Sequence, residues 1–257
     1  MNLITALLIS LAINGLFFII AAVLHTDVFT DITYSLSFLL LTILFFCLAE
    51  TRFAVQILTA LSVVVWSLRL GGYLFNRILH IKVDHRFDDK RDNVISFGSF
   101  WLLQAVTVWV VLLPVFGILS IKDMPSVSPV MLIPGAVVFL AGLALESVAD
   151  AQKYRFKMKA ETKGKFMSSG IWRYSRHPNY FGEMLVWWGI SAPGLFLFHG
   201  LEWMYFIGPV FITVLLLFVS GIPLLEKSAD SKWGRDAPYI EYKRRTSLLV
   251  PLPRKKG

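Results

Sequence analysis

Long apolar runs recur along this chain, and no other feature constrains its fold as tightly. Residues 3–24 carry no charged side chain. An α-helix needs about 20 predominantly apolar residues to cross the roughly 30 Å hydrocarbon core of a bilayer. Only helices and closed barrels satisfy their backbone polar groups there, and the period-2 alternation of barrel strands is missing. Seven runs qualify: residues 3–24, 32–49, 53–75, 95–120, 128–149, 180–198 and 203–225. Only 16% of the 257 residues are charged and 56% are hydrophobic, whereas soluble domains are about one quarter charged. The expected fold is an all-α polytopic membrane protein with seven transmembrane helices in one membrane domain, residues 1–257. The first run lacks a basic n-region and a small-residue cleavage site, so it reads as an uncleaved helix rather than a signal peptide. The single Cys47 lies within an apolar run and forms no intrachain disulfide.

The net charge of +8 gains meaning from its distribution. Arg77, Lys82, Arg86, Lys90 and Arg91 follow the third run. Lys153 to Arg176 holds a second basic group, and Lys227 to Lys256 a third. Together they contain 22 of the 25 lysines and arginines. With seven spans all three segments share one side, which the positive-inside rule makes cytoplasmic. The N-terminus is then outside and the C-terminus cytoplasmic. Topology and anionic headgroups account for much of this charge, so nucleic acid is not an expected partner. They do not account for the acids among the bases: Asp84, Asp88, Asp89 and Asp92 in one loop, Glu146 and Asp150 at the end of the fifth run. Mixed polarity on one face suits a large ligand bearing anionic and hydroxyl groups.

Three places hold candidate chemistry. Glu146 and Asp150, four residues apart, share a helix face; they serve a ligand or pair with Lys153, Arg155 or Lys157. Arg69, deep in VVVWSLRLGGYL, needs a buried partner such as Glu50 or Asp31, a bound anion, or a path to the headgroups. The stretch SRHPNYFGEMLVWWGI sets Arg176, His177, Asn179 and Glu183 against the sixth run. Pro178 turns His177 away from helical geometry and suits the first turn of a helix. Asn179 and Tyr180 fall in that turn, where free N–H groups favour a polar or anionic ligand. The five histidines lack metal-ligand spacing, so no metal is expected. No dinucleotide fingerprint, P-loop or nucleophile elbow is present.

GIWRYSRHPNYFGEMLVWWG, ESVADAQKYRFK and YIEYKRRTSLLVP together resemble the C-terminal domain of the steroid 5α-reductase family, particularly its uncharacterised bacterial branch. The resemblance spans roughly residues 140–251. The same superfamily holds sterol reductases and isoprenylcysteine methyltransferases. It implies helices 1–120 on the substrate side and a cofactor-binding half, 121–257, that holds NADPH without a Rossmann domain. Glu146 and Asp150 would meet the adenosine or ribose side, and Lys157, Arg69 and Tyr174 the phosphates or ribose. Asn179, within the motif carrying Arg176, His177 and Glu183, would contact the nicotinamide half. Arg235, Tyr239 and Tyr242 would close the pocket from the tail. The family polarises an enone oxygen with a glutamate and a tyrosine. Asp31 stands at the acid's position and Trp66 at the tyrosine's, with Tyr34 and Tyr73 as nearby phenols. An indole N–H donates a hydrogen bond but delivers no proton at neutral pH.

The function expected is NADPH-dependent reduction of a carbon–carbon double bond in a lipophilic enone, steroid-like or another lipid. The expected protein is a multi-pass, monomeric enzyme of the bacterial inner membrane, with membrane lipids and a lipophilic substrate as its partners. Two alternatives stay open: an S-adenosylmethionine-dependent membrane methyltransferase, which RHPNYFGE with Glu226, Tyr242 and Arg245 also fits, and a non-enzymatic lipid-binding protein. Asp31 itself is either a catalytic acid or the N-cap of the second helix.

Overall fold

A computed structural model of the protein describes residues 2–26, 28–80, 93–123 and 128–254. The acidic loop residues Asp84, Asp88, Asp89 and Asp92, with Lys82, Arg86, Lys90 and Arg91, lie outside the described residues. Among the described residues the fold is helical, with one isolated bridge between Ser175 and Ser247. Six helical segments are long and apolar enough to cross a membrane: Leu3–Val23, Val28–Leu48, Ala54–His80, Val94–Val111, Pro129–Met158 and Gly200–Trp233. This is an integral membrane protein by that measure.

The expected sixth span, 180–198, is not among the six. It forms α7, Pro178–Ser191, which stops before Pro193 and is followed by a short helix, α8, Gly194–Leu197. At 1.5 Å per residue the 14 residues of α7 reach about 21 Å, short of the hydrocarbon core. The expected fourth span is likewise α4, Val94–Val111, followed after Leu112 by α5, Leu113–Leu119, with a proline in its first turn.

Described contacts divide the chain into two units: residues 1–133 with 190–208, and 134–189 with 209–257. In the first, α2 (Val28–Leu48) packs on both α1 (Leu3–Val23) and α3 (Ala54–His80), and α1 packs on α4. Between them runs a buried polar clasp. Gln104 Nε2 donates to Asn14 Oδ1 at 2.9 Å and to the Thr30 carbonyl at 3.2 Å. Asn14 Nδ2 donates to Ser37 Oγ at 3.2 Å, and Ser10 Oγ to the Ala105 carbonyl at 2.8 Å. Lipid offers no partner to such groups, so helices supply them to one another. At the other end, buried Gln56 donates to the carbonyls of Ile118, Leu119 and Ile121, satisfying the end of α5.

In the second unit, α6 (Ile133–Met158) and α7 meet along a glycine seam. A Cβ on Gly142 would lie 2.7 Å from the Gly182 carbonyl oxygen and the Val186 nitrogen, and one on Gly182 would lie 2.7 Å from the Glu146 nitrogen. The backbones therefore touch, as small residues permit between membrane helices. Hydrogen-bonded across five residues, Leu215–Val219 forms a π-turn ending α9 (Ile207–Val214). At Gly221 the chain turns into α10, Ile222–Trp233. The last helix is α11, Ala237–Arg245.

Gly182→Ala is expected to lower the thermal midpoint in detergent, since overpacking costs about 1–3 kcal/mol. Gly72→Ala, where no atom lies within 4 Å of the added Cβ, should leave it unchanged or raise it. Equal midpoints in the two variants would mean the seam is not a close-packed contact.

Candidate functional site

The glycine seam brings the C-terminal half of α6 against the entry of α7, so Glu146 lies beside Gly182. Glu146 and Asp150 are 3% and 4% exposed. The sequence allows them a ligand or a pairing with Lys153, Arg155 or Lys157, and the structure buries both carboxylates. Lys157 and Tyr174 stay on the surface, and the Arg173 guanidinium lies over the Tyr174 ring. Glu183 is half-buried one turn into α7.

A carboxylate from α10 organises the loop before α7. Glu226 Oε2 accepts from Arg176 Nη1 at 2.5 Å, and Oε1 lies 2.8 Å from His177 Nε2. Lys243 of α11 stands 3.3 Å from the same carboxylate and 2.6 Å from Asp230 Oδ1. The helix break at Ser220–Gly221 places Glu226 just inside the new helix. A Cβ at Gly221 would collide with the Leu216 backbone, which fixes that residue as glycine. A stacked Tyr180 ring covers His177 at 5.9 Å between centroids.

The tail anchors the loop from its other side. Arg176 N donates to the Ser247 carbonyl at 2.9 Å, Ser175 Oγ to the Leu249 carbonyl at 2.6 Å, and Leu252 N to the Tyr174 carbonyl at 3.1 Å. Tyr242 hydroxyl donates to the Trp172 carbonyl at 2.7 Å, and Tyr239 hydroxyl to Asp230 Oδ1 at 2.9 Å. Phe166 packs its ring against both tyrosines. Burial raises both phenols above their ordinary range, and the Asp230 carboxylate adds to the effect on Tyr239. Neither is a ready proton donor; both hold the tail in place. Arg235 lines an open groove of about 580 Å³ with Tyr239, Asp230 and Lys243.

His177, 5% exposed, is held below the ordinary histidine range. Burial is the largest cause, opposed by the bond to Glu226 and aided by Lys153 and Arg176. A neutral ring donating from Nε2 to Glu226 leaves Nδ1 as an acceptor. That Nδ1 is buried with no hydrogen-bond partner, and so are Arg176 Nε and Asn179 Oδ1. Buried polar atoms cost about 1–3 kcal/mol when unpaired, so three within four consecutive residues make this loop the candidate place for a polar ligand or ordered water to complete the bonding. Two acceptors and one N–H donor suit the N–H groups and carbonyl of a carboxamide, and equally an ammonium beside a carboxylate.

The remaining candidates belong to the first unit. Asp31 pairs with Arg77 at the end of α3. Because α2 starts at Val28, Asp31 lies within the first turn and is not the N-cap. Tyr34 meets the Phe38 ring edge-on at 5.0 Å, and Phe38 meets Trp66 edge-on at 5.2 Å. Trp66 is fully buried. Arg69 lies 5.9 Å from the Tyr73 ring centroid, and Glu50, one of its two expected partners, bridges to Lys122 at 2.9 Å.

A family model described as "Protein of unknown function (DUF1295)" matches residues 17–246. No curated protein and no solved structure matches the chain significantly.

The depressed His177 value fixes a sign for pH dependence. The folded state binds this proton less readily than the unfolded chain, whose imidazole titrates near 6.5. The contribution is therefore present at pH 7 and lost as pH falls below about 6.5 toward the folded value. One proton limits the slope to about 1.4 kcal/mol per pH unit. Thermal midpoints should fall from pH 7.5 to 5.5, and His177→Gln should flatten that fall. An unchanged slope in the variant would remove His177 as its source.

Proposed function

The chain belongs to the DUF1295 family, and we propose that it is an NADPH-dependent reductase of lipophilic enones, of the steroid 5α-reductase type. The observation that carries this is the set of buried, unpartnered atoms Arg176 Nε, His177 Nδ1 and Asn179 Oδ1 at the entry of α7, which suits a nicotinamide carboxamide. Glu226 orients Arg176 and His177 for that task, and buried Glu146 and Asp150 supply acceptors for sugar hydroxyls. When bound, the cofactor supplies a hydride. On the substrate side, Asp31, paired with Arg77, is assigned to anchor the donor to the enone oxygen, with Tyr34 as the phenol one turn away that donates. Trp66, buried edge-on to Phe38, is assigned to shape the apolar wall.

A second reading, S-adenosylmethionine-dependent methyl transfer, is favoured by one observation. Glu226 meets Arg176 and His177 of RHPNYFGE, the combination on which the likeness to the methyltransferase branch rests. The reductase is preferred because S-adenosylmethionine has no phosphates and so gives less reason for Arg69 and the basic loop and tail residues. Calorimetric titration of the detergent-purified protein with each ligand separates the two. NADPH should bind, and Asn179→Ala should weaken it by about 5- to 150-fold, equivalent to about 1–3 kcal/mol. Binding of S-adenosylmethionine alone would overturn the reductase in favour of the transferase. Binding of neither would leave a lipid-binding protein without this chemistry.

Asp31→Asn should abolish most enone turnover while sparing NADPH affinity; full activity would take Asp31 out of the chemistry and leave the donor to be sought at Tyr34, Tyr73 or Trp66. The proposed topology has seven crossings, α7 and α8 forming the short one, in a bacterial inner membrane. Reporters fused to the two ends should read a cytoplasmic C-terminus and an external N-terminus. Both on one side would leave six crossings.

A further inference from the structure

The tail that clasps the candidate site also presents an unexplained apolar strip. From Ser247 to Leu252 the chain runs through successive bends, tied to the Tyr174–Arg176 loop through the Ser247 and Leu249 carbonyls and the Leu252 N–H. Between and beyond these anchors, Leu248, Val250 and Leu252 are 40%, 41% and 52% exposed. Every second residue thus exposes an aliphatic side chain. Ile240 on α11 is exposed as well, at 51%.

Cations frame the strip. The sequence from 243 to 257 carries Lys243, Arg244, Arg245, Arg254, Lys255 and Lys256 and no acid. Just before it, Glu241 is shared by Arg244 and Arg245, so one carboxylate balances two guanidinium groups and the face stays positive. Arg254 follows directly on Leu252 and Pro253. Aliphatic side chains beside a row of cations match a bilayer interface, where acyl chains take the first and anionic headgroups the second. Position agrees with composition: the loop that the tail clasps leads straight into α7 at Pro178, whose run reads LVWWGI. A second copy of the chain, paired strand to strand, suits the strip less well, because Pro251 and Pro253 remove two backbone donors from the segment.

We propose that the segment 247–254 docks on the anionic lipid surface, Leu248, Val250 and Leu252 entering the interface and the flanking arginines meeting lipid phosphates. Because its carbonyls hold Ser175 and Arg176, lipid contact then stiffens the loop that carries His177 and Asn179. The site becomes sensitive to membrane charge without any change in its own residues. This inference stands on the tail geometry and does not depend on which cofactor binds.

The test uses the full chain, with Cys47→Ser and Val250→Cys, carrying an environment-sensitive fluorophore at position 250. It is reconstituted at one copy per nanodisc, in discs of phosphatidylcholine or of phosphatidylcholine with phosphatidylglycerol. The expected result is a blue-shifted emission and loss of iodide quenching in the anionic discs. Both should reverse in 0.5 M salt, where the Debye length shrinks to a few ångströms, and in the Arg244→Gln, Arg254→Gln variant. A label at exposed Ser231, changed to Cys, reports the polar surface and should stay quenched throughout. Equal quenching at position 250 in both lipids overturns the proposal. So does a shift that appears only when two copies share a disc, which would assign the strip to self-association. Soluble phosphate that reproduces the shift would assign the arginines to a free anion and also overturn it.

Discussion

One carboxylate holds the second unit's functional end together. Glu226 accepts from Arg176 and His177 at once and has Lys243 within 3.3 Å. It reaches them from α10, across a helix break, while they sit on a loop and α11. Three cationic or hydrogen-bonding groups around a lone carboxylate form a shared network whose members support one another in a setting of low dielectric. Removing the carboxylate would leave Arg176, with a side chain only 13% exposed, facing Lys243 without a counter-ion. Each neighbouring element is fixed relative to that point. The tail bonds to the loop by backbone and hydroxyl, Tyr242 ties α11 to Trp172, and the α6–α7 seam sets Glu146 beside Gly182.

The network also sets a chemical state. Burial outweighs the attraction of Glu226 and keeps His177 from taking a second proton. With Nε2 committed to Glu226, the free nitrogen is an acceptor by necessity rather than an acid. Both tyrosines that the tail brings in are likewise locked as phenols, their protons spent on Asp230 and on a backbone carbonyl. The second unit is therefore equipped to hold a polar ligand and poorly equipped to deliver a proton to one.

Much of the fold was legible because hydrocarbon leaves few choices. Runs free of charge over some twenty residues are helices. Five of the seven expected spans fall on long apolar helical segments, two of which run on past the expected end to Met158 and Trp233. A sixth, 95–120, forms α4 and α5. The failure at 180–198 has a local cause: Pro193 follows Ala192 and ends α7 early, while apolar composition continues through both pieces. Hydropathy measures solubility in lipid and is blind to such a break. The RHPNY motif was legible too, since Pro178 after Arg176 and His177 marks a helix entry from chain geometry alone. What the motif bonds to was not. Glu226 lies 49 residues beyond His177, and its reach depends on the π-turn at Leu215–Val219, which no composition reveals. Gly221 before Pro223 was the available signal for a break there.

The polar clasp of the first unit shows a different kind of blindness. Ser10, Asn14, Ser37 and Gln104 are single polar residues scattered through apolar runs, and none has a motif around it. In water such residues face outward and carry little information. In a membrane each must find a partner or pay for its absence, so four of them in neighbouring helices amount to a statement about which faces meet. Asn14 at the middle of α1, Ser37 on α2 and Gln104 on α4 specify that α1 contacts both other helices, and the structure has that arrangement. The polar exceptions within apolar helices thus carry the packing, just as the polar exceptions at their ends carry the candidate chemistry.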